Sequence, residues 1–539
     1  MKHLSGLDAS FLHLETPEMP MHVGSLFLLD LPLAQHAGFH DVIRRHLSER
    51  LHLAGVFSQK LAHLPFDIAN PVWIADDAID LDYHIRQVSL PLPGTRAQLE
   101  AYVGRLHSSL LDRSRPLWEC YVLTGLDSGQ LGLYLKLHHA ALEGQGAASP
   151  ARVLCDDAAT PRRVEPPQRR RSPPPAASSL LGAALRDTFT WSLRLAKGMP
   201  AAIKLAAAQP VPRFAPAPRT PLNASITNQR SFATVTLSRK EVLEVGKAFG
   251  ASLDDVILTI VSGALRRYFD AQDALPEQSL VAAVPVSLAE SGNAGAQHTV
   301  PGTTAPGQAG HPAADDTAAV DTAAADAVAA GAAEGNAAPR KHTGMALVTL
   351  ATGEPDLAAR LQAIAAASAP MQQNAARLQA ALPGELPSLG LPWLLSGLVA
   401  LAGRARLADT LPPFANLVVS ILPGLSRPAG PGAPAAPLFL AGARVAGSYP
   451  VAIVTHGLAL NVTVQHVNGA LDAGIVACRR AVPDVQHVAA CMTAAHEELL
   501  AAAWKMLAQP VRHAPGKVAP LSEASAQAGL HRARKEEAA

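Results

Sequence analysis

The sequence predicts two α/β domains with mixed sheets, and two observations lead to this fold class. The first is length: 539 residues exceed what one hydrophobic core normally organises, so two core-bearing units are expected. The second is pattern, because short β-rich runs alternate with segments of helical periodicity in both halves of the chain. Hydrophobic residues make up 49% and charged residues 17% of the chain, a composition typical of folded proteins.

The first domain is predicted over residues 1–159. Its expected strands are 23–29, 121–126 and 131–137, and its expected helices are 39–51 and 99–110. Residues 160–220 then form a linker, since their proline clusters and arginine run resist packing. Within the linker, 180–208 has the pattern of a basic amphipathic helix, which either packs on the protein or touches a membrane. Its cations are Arg186, Arg194, Lys197 and Lys204.

The second domain is predicted over residues 221–510. It contains an expected helix at 255–269 and expected strands at 280–286, 346–350, 417–422 and 458–464. An Ala/Gly/Thr/Asp-rich stretch at 294–342 has almost no large apolar side chains, so we expect a disordered insertion there. Residues 511–539 are expected to be a flexible tail.

Charge and cysteine content exclude several classes of protein. Lys and Arg number 45 against 44 Asp and Glu, so no overall field favours a nucleic-acid partner. The four cysteines form no C-x-x-C pair, which argues against a zinc ribbon and a disulfide framework. The N-terminus has no continuous apolar segment, and the most apolar stretch, 391–403, is shorter than the roughly 20 residues that span a bilayer. We therefore expect a cytoplasmic protein.

The chemistry is expected at His138 and His139, which follow the apolar run 131–137. A neutral imidazole at the end of a strand can remove a proton from a hydroxyl near neutral pH. No G-x-S-x-G elbow supplies a nucleophile for an acyl-enzyme. Adjacent histidines on a strand point to opposite faces, so a shared metal ion is not expected. The alternative is that both histidines are ordinary packed residues.

The segment His138-His139-Ala140-Ala141-Leu142-Glu143-Gly144 resembles the His-His-x-x-x-Asp-Gly signature of the coenzyme A-dependent acyltransferase superfamily. Further segments, in the same order along the chain, are similar to the bacterial wax ester synthase/diacylglycerol acyltransferase family. They are 4–12, 20–24, 111–119, 221–223, 255–266, 284–287, 292–293, 420–424 and 482–484. The resemblance covers nearly the whole chain apart from the insertion and the tail.

This resemblance implies two chloramphenicol acetyltransferase-like domains with an active-site tunnel between them. It implies transfer of a long acyl chain from acyl-CoA to a long-chain alcohol or diacylglycerol, giving wax ester or triacylglycerol. A thioester already has a good leaving group, so acyl-CoA is expected as co-substrate with no cofactor and no metal. The insoluble substrates imply peripheral attachment to a membrane or lipid-droplet surface.

The resemblance also implies roles for individual residues. His139 is the expected general base and His138 supports it, Glu143 shapes the loop, and Gly144 permits its tight backbone. Possible tunnel or substrate contacts are Asp254, Ser287, Asn293 and Ser420. The chain departs from the family pattern at Glu143, Asp254 and Ile421, where the family has aspartate, asparagine and asparagine. Two other readings stay open: transfer to another hydroxyl acceptor, and a catalytically weak lipid-binding homologue.

Overall fold

A computed structural model describes residues 2–4, 6–62, 70–142, 150–166, 216–288, 342–368, 401, 403, 405–426 and 436–508. The expected amphipathic helix at 180–208, the apolar stretch 391–400, the tail 511–539 and all of the insertion except His342 lie outside these residues. The described part contains three sheets, of which two are large and mixed. The predicted fold class, α/β with two mixed-sheet units, is confirmed.

The first large sheet has seven strands in the order β5-β6-β7-β2-β14-β13-β8. Only β5 and β6 are parallel. The strands are β2 (His22–Asp30), β5 (Ile85–Ser89), β6 (Trp118–Thr124), β7 (Leu131–His138), β8 (Cys155–Asp156), β13 (Phe439–Leu440) and β14 (Ala443–Val451). A small sheet beside it pairs β1 (Lys2–His3), β4 (Val72–Ala75) and β3 (Gln59–Ala62).

Six α-helices accompany these strands in the described first half. They are α1 (Gly6–Leu14), α2 (Phe39–Arg50), α3 (Gly55–Ser58), α4 (Leu81–His84), α5 (Arg96–Ser108) and α6 (Pro150–Leu154). Helix α5 begins at a capping box in which the Thr95 hydroxyl accepts from the backbone of Gln98 and the Gln98 side chain accepts in return. The expected start at residue 99 was therefore one turn late.

The second large sheet has the order β11-β10-β12-β15-β16-β9, with β12 parallel to both of its neighbours. Its strands are β9 (Arg230–Ser238), β10 (Val281–Leu288), β11 (His342–Thr349), β12 (Leu417–Leu422), β15 (Leu460–Val467) and β16 (Ala470–Cys478). Packed with them are α7 (Arg239–Phe249), α8 (Leu253–Asp270), a helix α9 described over 357–368, and α10 (Val485–Ala508). Helices α8 and α10 contribute most of one apolar core with this sheet.

The C-terminal half of the chain contributes two strands to the first sheet. Strand β14 lies beside β2 of the first sheet, in antiparallel register from Arg444↔Asp30 to Val451↔Gly24, although it belongs to the C-terminal half. Strand β13 then bridges β14 to β8. The domain boundary predicted at 160–220 assigns residues 439–451 to the second domain, whereas the two strands they form belong to the first sheet. An apolar cluster that includes Tyr134, Phe232 and Val476 joins the two large sheets.

The insertion was predicted one residue too long at its C-terminal end. His342 pairs with Leu288 in the ladder between β10 and β11, so it belongs to the sheet. The ladder continues without a break from this pair to Val281↔Thr349.

Among the described helices, none is by itself long and apolar enough to cross a membrane. Helices α7 and α8 together meet the length and composition criteria, but they are bent by 101° at the break between them. Most residues of α8 are buried against the second sheet.

Candidate active site

Strand β7 leads into the predicted histidines, and its two faces have different surroundings. All eight of its residues are buried, which is typical of a strand covered on both sides. The leucines at 131, 133, 135 and 137 enter the core of the first unit. The opposite face carries Tyr134, Lys136 and His138, and Tyr134 belongs to the apolar cluster that joins the two large sheets. His138 ends the strand and His139 begins a turn of 3-10 helix.

His138 is fully buried, and each of its ring nitrogens has a neighbour. The backbone N–H of Ala140 donates to Nδ1 at 3.1 Å, so this nitrogen carries a lone pair rather than a proton. Nε2 lies 3.3 Å from Oε1 of Glu15. The bond from Ala140 therefore fits the neutral tautomer with its proton on Nε2, close to the carboxylate.

Glu15 collects contacts from three separate segments. Its side chain is 2% exposed, and Oε2 accepts from Arg113 Nη2 at 2.7 Å and from Nε at 3.1 Å. The backbone N–H of Met21 donates to Oε1 at 3.1 Å. Nδ1 of His22, which pairs with His138 across β2 and β7, lies 3.6 Å from the same oxygen. Burial alone would raise the pKa of Glu15, but His138 and Arg113 lower it to about 2.

His139 has different surroundings from its neighbour. Its backbone N–H donates to the carbonyl of Met21 at 2.9 Å, and its ring stacks on Phe11 with 3.9 Å between ring centroids. The residue is half-buried, and its Nδ1 has no hydrogen-bond partner. Burial, and next the neighbouring His138, lower the pKa of His139 to about 4. The imidazole is therefore neutral at physiological pH and can accept a proton.

A second polar group lies under the histidines on the same face of the sheet. Lys136 is fully buried, and its Nζ donates to Glu119 at 2.9 Å and to the carbonyls of Leu106 and Ser109 at 3.2 and 2.9 Å. These three acceptors use all three protons of an ammonium group. The group is thus satisfied internally, as a buried charge must be.

The histidines lie where both halves of the chain meet. Nε2 of His107 bonds to the carbonyl of Ala452, just after β14, at 3.1 Å. Nδ1 of the same ring is 2.8 Å from the hydroxyl of Tyr134, which shares the face of β7 with His138. Met21, whose carbonyl holds His139, belongs to the apolar cluster that joins the two large sheets.

The other predicted site residues are dispersed. Glu143, Gly144 and Asn293 lie outside the described residues. Ser287 lies near the end of β10, and the half-buried Ser420 pairs in register with Thr463 of β15, so both lie in strands of the second sheet.

Asp254 lies in the first turn of α8, and its side chain is exposed. Partial desolvation and the adjacent Asp255 raise its pKa. Asp255 itself caps the helix, since its carboxylate accepts from the backbone and hydroxyl of Ser252 and from Ser368.

Glu15, Arg113 and Phe11 were not predicted as site residues. Glu15 and Arg113 are 98 positions apart, and no local pattern pairs them. Both fall within or beside segments that resemble the family, at 4–12 and 111–119, which is the one signal that could have drawn attention to them. In the structure the two segments meet, because Arg113 and His138 both contact the Glu15 carboxylate.

Two family profiles and several known proteins match this chain. The profile of the wax ester synthase/diacylglycerol acyltransferase catalytic domain matches residues 4–257, and that of the WS/DGAT C-terminal domain matches residues 341–500. A Mycobacterium tuberculosis protein named probable diacylglycerol O-acyltransferase tgs2 is 34% identical over 502 residues, covering 91% of this chain and 97% of its own. The putative diacylglycerol O-acyltransferase Mb3761c of Mycobacterium bovis matches to the same extent.

A solved structure shares the architecture. The wax ester synthase/diacylglycerol acyltransferase from Marinobacter aquaeolei VT8 superposes with a TM-score of 0.62 at 27% identity, covering 93% of this chain and all of that one. The fold and the relatives together define an acyltransferase. The chain belongs to the wax ester synthase/diacylglycerol acyltransferase family.

Proposed function

We propose that the protein transfers a long acyl chain from acyl-CoA to the hydroxyl of a long-chain alcohol or of diacylglycerol, with His139 as the general base. The observation that carries the choice of base is the contrast between the two rings. Both nitrogens of His138 face fixed neighbours in a fully buried position. His139 is half-buried and stacked on Phe11, so its ring is oriented and still accessible. The names of the relatives support the class of substrates.

In the proposed reaction, the acceptor oxygen attacks the thioester carbonyl carbon, and a C–O bond forms as the C–S bond breaks. The hydroxyl proton passes to the neutral ring of His139 and then to the departing thiolate, so that free coenzyme A leaves as a thiol. The ring has its lone pair available because its pKa is lowered to about 4. Asp254, Ser287, Asn293 and Ser420 are proposed to line a tunnel between the two units.

We propose that the enzyme is cytoplasmic and meets its lipids at a membrane or droplet surface. The loop before β12 supports this idea, because Leu407, Leu411 and Phe414 are 43%, 59% and 59% exposed. The guanidinium of Arg219 donates to the carbonyls of Ala408, Asp409 and Leu411, which fixes the loop that carries these side chains. Fixed, exposed apolar side chains favour contact with another apolar phase.

The membrane proposal is tested by co-sedimentation with anionic and neutral vesicles at low and high salt. Each cation of 180–208 near an anionic leaflet contributes on the order of 1 kcal/mol, so binding should weaken with salt if that segment takes part. Replacing Leu411 and Phe414 with serine should weaken binding at every salt concentration. Equal binding of this variant and the parent would remove the loop from the proposal.

The catalytic proposal is tested by assaying purified protein with labelled palmitoyl-CoA and either hexadecanol or a dioleoylglycerol, followed by lipid separation. His139→Ala should lower the rate by about 10²- to 10⁴-fold, the usual contribution of a general base. His138→Asn is the matched control, because its amide oxygen can still accept from the N–H of Ala140. It should lose much less activity than His139→Ala, and both variants should show the circular dichroism spectrum of the parent.

Assays with several hydroxyl acceptors distinguish the proposed function from its two alternatives, transfer to another acceptor and a lipid-binding homologue with little activity. Product with a different hydroxyl acceptor, and none with either lipid, would assign the enzyme to transfer onto that acceptor. Binding of palmitoyl-CoA without turnover on any acceptor would favour a lipid-binding homologue. A His139→Ala variant that keeps the parental rate would refute the assignment of the base.

A further inference from the structure

We propose that Glu15 is a positioning residue that holds the His138 imidazole in one tautomer and thereby fixes the turn that carries His139. The proposal rests on the proposed role of His139 and deepens it. It is drawn from the position of the Glu15 carboxylate, which touches the segments on both sides of the histidine turn.

The first step of the argument is how the turn is anchored. His139 is held by its backbone bond to Met21, and the following N–H, that of Ala140, is held by Nδ1 of His138. The N–H of Met21 in turn donates to Glu15. One carboxylate oxygen, Oε1, therefore lies between the two attachment points of the turn, through Met21 on one side and His138 on the other.

The second step is the tautomer of His138. Nδ1 can accept from Ala140 only while it is unprotonated, so the ring proton must be on Nε2. An anionic acceptor 3.3 Å from Nε2 stabilises that tautomer. If the acceptor became a donor, the ring would favour the other tautomer, and the bond to Ala140 would be lost.

The third step is why Glu15 remains an anion in a buried position. Arg113 donates two hydrogen bonds to Oε2 and a third to the carbonyl of Leu12, at 2.7 Å, at the end of α1. The arginine thus fixes the carboxylate to the helix that also carries Phe11, the stacking partner of His139. The Glu15–Arg113 ion pair therefore links the helix that carries Phe11 to Met21, whose carbonyl holds the backbone of His139.

The test compares three substitutions in full-length protein, of which Glu15→Gln and Asp156→Asn keep the side-chain volume and Glu15→Asp shortens it by one methylene. Glu15→Gln keeps the shape but offers an amide that can donate toward His138, while Glu15→Asp keeps the charge. We expect Glu15→Gln to lower kcat about 10- to 100-fold with less than a threefold change in the KM for palmitoyl-CoA, and Glu15→Asp to retain more activity. Asp156→Asn is the matched control: its carboxylate pairs with buried Arg50 at 3.2 Å in the same sheet, away from the histidines. It should lower thermal stability and leave kcat unchanged.

A double-mutant cycle distinguishes positioning from general structural support. If Glu15 acts through His138, Glu15→Gln should cost less than about threefold in kcat when added to His138→Asn, because the ring it orients is already gone. Full additivity of the two substitutions would overturn the proposal. So would a Glu15→Gln enzyme with the parental kcat.

A readout without turnover keeps this inference separate from the proposed function. Diethyl pyrocarbonate modifies accessible imidazoles, and mass spectrometry gives the rate at each histidine. In the parent we expect modification at His139 and none at fully buried His138. In Glu15→Gln, we expect modification of His138 or at least a threefold change in the rate at His139. If the parent transfers no acyl group to any acceptor, the proposed function fails, but this change still supports the positioning role. Unchanged rates at both histidines would overturn it.

Discussion

Asp472 is a buried carboxylate between the two large sheets, and its replacement by asparagine should stabilise the protein at alkaline pH. The residue belongs to β16 and is 1% exposed. Its Oδ2 accepts from the backbone N–H of Ser448 in β14, and its Oδ1 accepts from Thr236 of β9, both at 2.8 Å. Burial raises the pKa of Asp472 from 3.8 to about 6, although both hydrogen bonds oppose the shift.

The magnitude follows from that shift. About two pKa units at about 1.4 kcal/mol each correspond to a penalty of about 3 kcal/mol for holding the ionised carboxylate in the folded protein. Because the folded pKa is raised, the stabilising effect of the protonated form is complete below pH 3.8 and is lost as the pH rises through 6. Asparagine removes the penalty, can accept from Ser448, and can donate to Thr236. We expect Asp472→Asn to gain about 1–3 kcal/mol at pH 8 and little at pH 3.5, below the unfolded pKa.

The assay is thermal or urea unfolding of parent and variant at several pH values, with stability compared at each pH. Asp472→Ala is the control, because it leaves the N–H of Ser448 buried without its acceptor. It should cost about 1–3 kcal/mol relative to asparagine at every pH. A difference between Asp472→Asn and the parent that is the same at pH 5 and pH 8 would refute the reasoning.

Three further predictions concern packing, pH dependence and the insertion. A Cβ at Gly474 would lie 1.7 Å from the carbonyl oxygen of Pro450, so Gly474→Ala should cost at least about 3 kcal/mol or prevent soluble expression. Gly38→Ala, with no atom within 4 Å of the added Cβ, should cost less than about 1 kcal/mol, the usual effect of alanine at a helix N-cap. With the pKa of His139 lowered to about 4, kcat/KM should stay level from pH 8 to about 5.5 and fall only below, so an acid limb centred near 6.5 would contradict that environment. Because β10 and β11 are antiparallel neighbours and a long surface loop adds little closure entropy, deleting residues 295–341 should preserve the circular dichroism spectrum and activity; aggregated protein on gel filtration would refute this.

Local patterns predicted the elements that local physics determines. The leucine alternation of 131–137 gave β7 to within a residue, and the apolar periodicity of 255–269 gave most of α8. The start of β6 was predicted three residues late, and the residues missed include Glu119. Its charge is balanced by Lys136 of the neighbouring strand, a contact that depends on register and is invisible in either segment alone.

In the candidate site, too, some residues could be predicted from local sequence and others only from the fold. His138 and His139 could be predicted because a seven-residue motif carries them. The family-like segments around 116–118 and 221–223 could be recognised but not interpreted. In the structure, Trp118 is fully buried and donates to the carbonyl of Phe57, and Asn223 bonds the carbonyls of Ala415 and Gly457. These residues hold distant segments together, a role that requires the fold to be known.

Because β14 comes from the C-terminal half and pairs with β2, the histidine site cannot be assigned to one half of the chain. Residues 1–159 contain both histidines, yet without β14 they would expose the whole edge of β2, the strand that carries His22. An open edge in the middle of a sheet is prone to aggregation, so we expect this segment alone not to fold stably. The ladder from Arg444 to Val451 also ties the second half to the strand next to β7. Wide separation of the two halves would break that ladder, so substrates should reach His139 along its accessible side while the sheets stay joined.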